Sequence, residues 1–600
     1  MTQDKRLYLP ESEESAAMLK KGYQVEKDIY FSTDSRDMGW VQENIPCQWS
    51  CPARTNIPGY IRTIFEERFG RSYEINRFVN LMPGVLGRIC SRPCEPVCRH
   101  GWEGNGDPVA ICHLKRAASD LKRSGHRISE EMFAPSGKAV AVIGSGPAGL
   151  GAAHDLAVFG HKVVLYEALP EPGGMLRYGI PVFRLPKDLL QSEIDNVLRL
   201  GVEIHTNTRV GDDISIHDLL EDFDAVVLAA GAYKPNRLRI PGADLKGVYT
   251  GLEFMMQANM GHKIDVGNIV HIIGGGYTAM DCARTSIRFG AKRAIINIRG
   301  AEDYLQIEKH ELFEVKLERA ELRGLVSIRE VLGKDKVEAV RYQRNRLGPF
   351  LPNGERTGTP IEDSEFDDPA DTVIFATGQR PDMSFLDIEL ETEENGLLKS
   401  DPNTFMTSQK GLFLAGDFLS GASTIIESIG SGRMTAWNVD GYLMNAKRRG
   451  LVVRHEKTEI LRERDWDFVP RQEIPTLKLA DRMADDGSAE VEIGFDADLA
   501  KSESKRCYLC YLKFEIDVSR CIYCRRCIEV APKDCIKLAR GVKFNADGSY
   551  AGIDVAENWS EVAAIAIDNK ECIRCGACLK ICPVKCIDVV KMELVEQPMS

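Results

Sequence analysis

The chain has 600 residues, of which 44% are hydrophobic, and its formal net charge is -12. A single core rarely grows beyond about 250–300 residues, so this length predicts a multidomain globular protein. The charges are mixed along the chain and form no basic runs, which argues against nucleic acid as the main partner. The N-terminus lacks an apolar secretion signal, and no stretch approaches the roughly 18 apolar residues of a membrane span, so we expect a cytoplasmic protein without membrane insertion.

The elements predicted along the chain give an α/β multidomain architecture. Residues 1–135 contain Pro- and Arg-rich cysteine segments between helix-like stretches such as IPGYIRTIFEERF, which predicts a helical N-terminal iron–sulfur domain. Strand-length apolar runs then alternate with helical patterns twice, which is typical of parallel sheets built from βαβ units. We predict a first Rossmann-like nucleotide-binding domain at 136–256 and 376–450, with a second Rossmann-like nucleotide-binding domain, 257–375, inserted in it.

The remaining sequence divides into a polar stretch and a cysteine-rich end. Residues 451–505 have weak periodicity and are predicted to be a linker or wrapping segment. Residues 506–600 contain an internal duplication of cysteine motifs and predict an α+β domain like a two-cluster ferredoxin.

The first dinucleotide fingerprint follows the apolar strand AVAVI. Gly144, Gly146 and Gly149 form G-x-G-x-x-G before a helix, and Glu167 ends the next strand. Such glycines let the backbone approach a pyrophosphate at a helix N-terminus, and an acid at the position of Glu167 binds a ribose hydroxyl. Near the end of this domain Asp417 follows a strand, where a carboxylate can bind the ribityl hydroxyls of a flavin.

A second fingerprint is formed by Gly274, Gly276 and Ala279, since alanine is permitted at the third position. Two fingerprints in one chain indicate two different dinucleotides.

At these motifs, over about residues 40–450, the chain resembles the small subunit of glutamate synthase and its relatives. These relatives include the reductase portion of dihydropyrimidine dehydrogenase and ferredoxin:NADP transhydrogenase subunits. In that family the first fingerprint binds FAD, the second binds NAD(P)H, and hydride passes from nicotinamide to the flavin N5 atom. The resemblance assigns to FAD the residues Gly144, Ser145, Gly146, Gly149, Glu167, Gly174, Arg177, Gly416 and Asp417. It assigns to the nicotinamide nucleotide the residues Gly274, Gly275, Gly276, Thr278 and Ala279.

The chain departs from this family at two positions of the second site. Many relatives have an acid or amide where this chain has Tyr277, and a pair of arginines where Arg299 is followed by Gly300. Such arginines resemble clamps for the 2′-phosphate of NADP, so Arg299 is a candidate ligand and NADH and NADPH both stay open. Thioredoxin reductases share the core but carry a C-x-x-C in the nicotinamide domain, where only Cys282 is present, and we interpret Cys282 as a small packed residue.

The cysteines supply the most specific motif. All 18 except Cys282 lie in two terminal clusters with short spacings, which is typical of metal or iron–sulfur ligands in a reducing compartment. The run C-x2-C-x2-C-x3-C-P begins at Cys572, as in bacterial two-cluster ferredoxins, and a tetrahedral zinc site does not require it. In the first half of the duplication Ala531 stands where a fourth cysteine is expected.

We therefore predict two C-terminal [4Fe–4S] clusters in which Cys535 replaces the missing ligand. One set is Cys521, Cys524, Cys527 and Cys582, and the other is Cys572, Cys575, Cys578 and Cys535. A labile three-cysteine cluster is the alternative. Cys586 is then spare, and Cys507 and Cys510 either help to hold an extra cluster or are structural.

The N-terminal cysteines match the iron–sulfur domain of the resembled family. The matching residues are Cys47, Cys51, Cys90, Cys94 and Cys98. Relatives carry two further cysteines ahead of the first pair, where this chain has Gly39 and Gln42, so we expect one N-terminal [4Fe–4S] cluster. Cys112 is either a ligand or a packed helix residue.

These motifs predict an electron-transfer oxidoreductase that passes electrons between NAD(P)H, FAD and [4Fe–4S] clusters. The reaction is flavin-mediated, so no catalytic side chain is assigned. By analogy with the family, we expect other redox subunits or ferredoxin as partners in a hetero-oligomer, such as a bifurcating hydrogenase or transhydrogenase. The alternatives are a free-standing ferredoxin:NAD(P)H reductase and a nucleotide-binding scaffold without turnover.

Overall fold

The computed structural model describes residues 30–31, 38–102, 105–123, 132–351, 354, 356–546 and 550–599. The described N-terminal region is helical as predicted. Pro46, Pro58 and Pro83 each lie at the first or second position of a helix, where a missing N–H costs no hydrogen bond. Its helices are α1 Met38–Asn44, α2 Pro46–Ser50, α3 Ile57–Phe65, α4 Phe69–Asn80, α5 Pro83–Ile89 and α6 Ile111–Asp120.

The helices that follow alternate with the strands of the nucleotide-binding sheets and continue into the C-terminal end. They are α7 Pro147–Val158, α8 Met175–Tyr178, α9 Lys187–Leu198, α10 Ile216–Asp222, α11 Gly251–Asn259, α12 Tyr277–Arg288, α13 Lys309–Leu317, α14 Asp417–Ser420, α15 Ile425–Met444, α16 Leu479–Arg482, α17 Ala497–Lys505, α18 Arg526–Val530 and α19 Ala577–Ile581. Among the residues that the structure describes, no helix has both the length and the apolar character needed to cross a bilayer.

The strands form six sheets in the described part of the chain. They are β1 Tyr30–Phe31, β2 Ala139–Ile143, β3 Lys162–Tyr166, β4 Glu203–His205, β5 Ala225–Leu228, β6 Lys234–Pro235, β7 Val248–Thr250, β8 Ile269–Ile273, β9 Arg293–Asn297, β10 Glu321–Arg323, β11 Val326–Leu332, β12 Ala339–Phe350, β13 Arg356–Pro369, β14 Thr372–Phe375, β15 Gln379–Arg380, β16 Leu412–Leu414, β17 Arg449–Lys457, β18 Leu512–Asp517, β19 Ile536–Phe544, β20 Tyr550–Val555, β21 Ala564–Ile567 and β22 Ile587–Pro598.

Two parallel five-stranded sheets form the nucleotide-binding core, which confirms the predicted α/β class. Their strand orders are β16-β5-β2-β3-β4 and β10-β9-β8-β14-β7. Their inner strands are almost continuously buried, because helices cover both faces of a parallel sheet. Each fingerprint glycine loop lies at the carboxyl end of the central strand of its sheet, β2 or β8.

The C-terminal end is joined to the core by strand pairing. β17 begins five residue positions after α15 ends and pairs antiparallel with β22, while β18 pairs with β22 and with β1. The sequence predicted only a linker or wrapping segment from residue 451, and β17 overlaps its first residues. A second antiparallel sheet, β20-β19-β21, completes this end.

A buried ionic network ties the segment after β17 to the second parallel sheet. Arg482 is fully buried, and it forms ion pairs with Glu314 and Glu318 beside α13. Glu318 also accepts hydrogen bonds from Arg284 at 2.8 and 3.0 Å and from Arg288 at 2.6 Å. The wrapping segment is therefore fastened to the helices of this sheet by charges that water does not reach.

Candidate flavin, nucleotide and iron–sulfur sites

The first glycine loop folds so tightly that side chains are excluded. Gly144 has φ +100°, and a Cβ on it would lie 2.5 Å from the carbonyl oxygen of Ala229. A Cβ on Gly149 would lie 1.8 Å from the carbonyl oxygen of Gly144. The loop therefore brings the N-terminus of α7 directly against the end of β2, the position at which such folds bind a pyrophosphate.

Glu167 is held rigidly at the end of β3. Its side chain is 6% exposed, and its two carboxylate oxygens accept hydrogen bonds from the N–H of Leu169 at 2.8 Å and from the N–H of Ser145 at 3.0 Å. The Ser145 hydroxyl donates to the same carboxylate. Glu167 and Ser145 both line a cleft with about 1650 Å³ of empty space beside the glycine loop.

The opposite wall of the cleft comes from two further predicted segments. Gly174 has φ +54°, and a Cβ on it would lie 2.7 Å from the Cα of Gly146, so a side chain would fill the cradle between them. Asp417 accepts hydrogen bonds from the N–H and the hydroxyl of Ser423 at 3.2 and 3.1 Å. Burial raises the pKa of Asp417. Its carboxylate therefore lies in the cleft in a fixed orientation, at the first residue of α14.

Arg177 is the one predicted flavin residue whose side chain is committed elsewhere. Its Nε donates to the carbonyl of Pro172 at 2.6 Å, and its guanidinium forms an ion pair with Glu171 at 2.5 Å. Arg177 thus braces the loop that ends at Gly174. The cleft also includes Tyr233 and Met256, which belong to no motif and which the sequence did not single out.

The second glycine loop is equally tight and leaves an open face. Gly274 has φ +142°, and a Cβ on it would lie 2.2 Å from the carbonyl oxygen of Ala376, while a Cβ on Gly275 would lie 2.7 Å from Leu305. A Cβ on Gly276 would meet no atom within 4 Å. Ala279 is fully buried. The N-terminus of α12 therefore faces open space at Gly276, with room for a phosphate group.

The predicted nucleotide residues next to this loop have distinct surroundings. Thr278 packs towards α11, where a Cβ on Gly251 would lie 3.0 Å from its Cγ2 atom. Arg299 is exposed at the end of β9. A Cβ on Gly300 would lie 2.2 Å from the carbonyl oxygen of Arg356, which explains why a second arginine does not follow Arg299. The hydroxyl of Tyr277 accepts a hydrogen bond from the N–H of Glu308 at 3.2 Å, so the departure at this position has a packing role.

The structure divides the five predicted N-terminal cysteines between two groups. Cys51, Cys90 and Cys94 lie with Cys112, for which the sequence left two interpretations open. Hydrogen bonding to Cys112 and burial raise the pKa of Cys90, and the charge of Cys112 acts in the same direction. Buried Lys115 lies beside this group; burial alone lowers its pKa, but the charges of Cys112 and Cys90 and of the other thiols nearby outweigh burial and raise it.

The other two N-terminal cysteines, Cys47 and Cys98, lie with Cys507 and Cys510 from the opposite end of the chain. Burial raises the pKa of Cys47, and so does the proximity of Cys510, Cys98 and Cys507. We call these four residues the interface thiol group.

The ferredoxin-like end holds two more groups. Cys535 lies with Cys572, Cys575 and Cys578; its thiol donates towards Cys572, which lowers the pKa of Cys572.

The second C-terminal group surrounds one apolar pocket. It contains Cys521, Cys524, Cys527, Cys582 and Cys586. The sulfur atoms of Cys582 and Cys586 are 3.5 Å apart, so both face the place of the predicted ligand Cys582. The sequence is interpreted as giving Cys586 no ligand role. The duplication contained the signal, because Cys586 follows Cys578 at the same spacing at which Cys535 follows Cys527.

In the described residues, no three or more Cys, His, Asp or Glu side chains converge so as to hold a metal ion. A [4Fe–4S] cluster does not require such convergence, because each of its four irons takes one thiolate.

Three sequence families match the chain. Residues 138–437 match the pyridine nucleotide-disulphide oxidoreductase family, and residues 41–126 match dihydropyrimidine dehydrogenase domain II with its 4Fe-4S cluster. Residues 520–589 match the 4Fe-4S dicluster domain. The small chain of glutamate synthase [NADPH] from Escherichia coli is 33% identical over 419 residues, which span 66% of this chain and 88% of that protein. The chain belongs to the glutamate synthase small-chain family.

Two longer family members also cover most of the chain. Subunit beta of the NADP(+)-dependent formate dehydrogenase of Moorella thermoacetica is 36% identical over 501 residues, which span 78% of this chain and 70% of that protein. Subunit beta of the NADPH-Fe(3+) oxidoreductase of Geobacter sulfurreducens is 33% identical over 510 residues, which span 78% of this chain and 75% of that protein. This glutamate synthase small-chain relative is thus an FAD- and iron–sulfur-dependent NAD(P)H oxidoreductase, with 4Fe-4S domains at both ends.

Proposed function

We propose that this chain passes electrons between NADPH, FAD and [4Fe–4S] clusters as one subunit of a larger redox complex. The observation that carries the proposal is the position of the Cys51 group directly behind the flavin cleft. A Cβ on Gly430 of α15 would lie 3.0 Å from the carbonyl oxygen of Pro52, while Ile425 and Ser428 of the same helix line the cleft. One helix therefore separates the proposed flavin site from the first cysteine group.

FAD fits the first cleft on the shape and chemistry of its lining. The glycine loop and the N-terminus of α7 would hold the pyrophosphate, and the fixed carboxylate of Glu167 would bind the ribose. Asp417 would bind the ribityl hydroxyls. When bound, FAD supplies the conversion between two-electron and one-electron chemistry. Arg177 would support the flavin site by bracing the 171–174 loop, without contacting the flavin itself.

The nicotinamide nucleotide fits the open face at Gly276. Arg299 is exposed just after β9, and its guanidinium would bind an anionic group on the adenosine ribose of the nucleotide. The names of the relatives in Escherichia coli, Moorella and Geobacter all specify NADP or NADPH, which supports NADPH for this chain. The same names describe subunits or chains of larger enzymes, which supports a partner subunit here.

The cysteine groups supply candidate ligand sets for the clusters. Cys51, Cys90, Cys94 and Cys112 would hold the N-terminal cluster, because all four are at most 8% exposed. At the C-terminal end the sets would be Cys572, Cys575, Cys578 and Cys535, and then Cys521, Cys524 and Cys527 with Cys582 or Cys586. Among the 18 cysteines, all of which the structure describes, Cys524 is the exposed one, so the last set would face a partner.

An anaerobic titration of the cluster-loaded protein tests the proposal. NADPH is expected to bleach the flavin absorbance stoichiometrically and then to reduce the clusters. Gly276→Val would place a branched side chain in the proposed phosphate space, so we expect at least a tenfold higher NADPH requirement with FAD content unchanged. Gly441→Val is the matched control, since a Cβ there also meets no atom within 4 Å but lies on α15, away from the nucleotide loop.

Absence of flavin bleaching in the wild-type protein would refute the relay and favour a scaffold. Bleaching of Gly276→Val at the same NADPH concentration as the wild type would refute the assignment of the second site.

A further inference from the structure

The interface thiol group is the one cluster of cysteines that the proposed relay leaves without a role. Cys47 lies on α2, Cys98 precedes a short helical turn at 99–101, and Cys507 and Cys510 lie between α17 and β18. All four side chains are buried, with exposures of 7 to 9%. All four line the same small pocket, so the two ends of the chain bring their thiols to one space.

The rest of the cavity lining is suited to a cluster. Apolar side chains of the N-terminal region, including Ile57, Ile61 and Val109, surround the thiols, and Tyr508 lines the pocket from the C-terminal end. No thiol in this group is paired in a disulfide, because all four cysteines are free. A buried set of four free thiols around an apolar cavity is the environment in which four thiolates hold a cubane.

The loop of Cys507 and Cys510 has the backbone conformation of the ferredoxin-type loops. Leu509 has φ +50°, which is uncommon for a bulky residue, and its N–H donates to the sulfur of Cys507 at 3.4 Å. Tyr523 has φ +55° and its N–H donates to Cys521 at 3.4 Å.

The same geometry recurs in the other half of the duplication. Arg574 has φ +59° and its N–H donates to the sulfur of Cys572 at 3.4 Å. The C-x-x-C at 507–510 therefore shares both its spacing and its N–H···S geometry with the two loops of the 4Fe-4S dicluster domain, although it lies outside the residues that match that family. Hydrogen bonds to cluster sulfurs are also a means by which proteins set cluster potentials.

We propose that Cys47, Cys98, Cys507 and Cys510 bind a fourth [4Fe–4S] cluster, with two ligands from each end of the chain. Each thiol releases its proton to solvent as its sulfur bonds one iron, and no disulfide forms or breaks. The electron-transfer role of this cluster rests on the proposed relay, whereas its ligand set does not.

Arg99 indicates what the fourth cluster would connect. Its guanidinium lies 3.8 Å from the sulfur of Cys510 and donates to the carbonyl of Cys572 at 3.0 Å. The interface thiol group is therefore adjacent to the Cys572 group. The fourth cluster would accept one electron from the N-terminal cluster and pass one electron to the cluster at Cys572, which joins the two ends into a single path.

The test compares the metal content of the cofactor-loaded wild-type chain with that of the double variant Cys507→Ala, Cys510→Ala. Four clusters give roughly 16 irons per chain, and the double variant is expected to hold roughly 12. Cys282→Ala is the matched control, because Cys282 is fully buried and free and packs in the core of the second parallel sheet, a core cluster that contains no other cysteine. Its iron content is expected to equal that of the wild type.

Spectroscopy and native mass spectrometry complete the test. Electron paramagnetic resonance of the dithionite-reduced chain is expected to lose the same component in the double variant and in Cys47→Ser, whose substitution is at the other end of the chain. Unchanged iron in the double variant, or zinc in place of iron, would overturn the proposal. If the double variant does not fold, native mass spectrometry of the wild type decides, because a mass of three clusters or fewer overturns it as well. Flavin bleaching by NADPH should persist in the double variant, so failure of the relay and failure of this ligand set are distinguishable.

Discussion

Replacement of Glu318 by glutamine should destabilise the chain far more than the loss of one surface ion pair. Glu318 is buried with three arginines around it. Glu318→Gln removes the carboxylate that they share, so Arg482 keeps only Glu314, Arg284 keeps only Glu311, and Arg288 loses the acid that it pairs with. Breaking a buried ion pair by removing one partner costs about 3–5 kcal/mol. We expect the free energy of unfolding of this region to fall by about 4 kcal/mol.

The control for this experiment is Glu321→Gln. Glu321 pairs with Arg293 at 2.8 Å, but the two side chains are 45% and 42% exposed, so its loss should cost about 0–1 kcal/mol. Urea unfolding with hydrogen-exchange readout on α12 and α13 measures both variants. Equal effects of the two substitutions would refute the idea that burial makes the Glu318 network strong.

The pH dependence adds a second check on Glu318. Burial alone raises the pKa of this carboxyl, but hydrogen bonds from Arg284 and Arg288 outweigh burial and lower it to about 2. A carboxyl with a depressed pKa stabilises the folded state fully above its unfolded pKa, near 4.5, and loses that contribution as the pH falls through 2. The difference between wild type and Glu318→Gln should therefore stay constant between pH 8 and about pH 5.

Two further predictions follow from single residues. Gly300→Arg restores the arginine pair of many relatives, yet its Cβ would lie 2.2 Å from the Arg356 carbonyl oxygen. We expect a lower thermal midpoint and no gain in NADPH affinity by isothermal calorimetry, and tighter NADPH binding without loss of stability would contradict the packing argument. Lys187 donates to the carbonyls of Leu176 and Ile180, and burial together with the charge of Arg177 lowers its pKa to about 7. Between pH 7 and the ordinary lysine pKa near 10.5, Lys187 binds more protons in the unfolded chain than in the folded chain, so the stability of the folded state rises over that range. In urea unfolding, Lys187→Met should therefore cost on the order of 2 kcal/mol more at pH 9 than at pH 7. A cost that does not change with pH would show that Lys187 titrates normally.

The sequence predicted the two parallel sheets well, because their strands are buried on both faces and appear as unbroken apolar runs. Both fingerprints were readable for the same reason, since each begins directly after such a strand and runs into a helix. β17 was missed: RGLVVRHEK has polar residues at both ends, and its pairing partner β22 lies more than a hundred residues away. Long-range pairing of this kind leaves no local periodicity.

The ligand groups show where motif spacing stops being informative. The sequence predicted Cys535 as a substitute ligand, and the structure places its thiol beside Cys572. Local spacing gave no reason to associate Cys47 with Cys507, because only the packing of the two chain ends brings them together. The position of the Arg177 guanidinium was equally unpredictable, since a family motif specifies a residue type and not its hydrogen-bond partners.

The pairing of β17 with β22 limits how electrons can leave the molecule. The ladder of β17 and β22 spans nine residue pairs, and β17 begins shortly after α15, the last helix of the first nucleotide-binding domain. β1 is added at the opposite edge of the four-stranded sheet that contains β17 and β22. A ferredoxin-like unit fastened in this way cannot swing between donor and acceptor as a tethered shuttle does. Under the proposed relay it would be a stationary outlet, so an acceptor would have to come to the surface around Cys524, and the rate of delivery would depend on the concentration and fit of that acceptor.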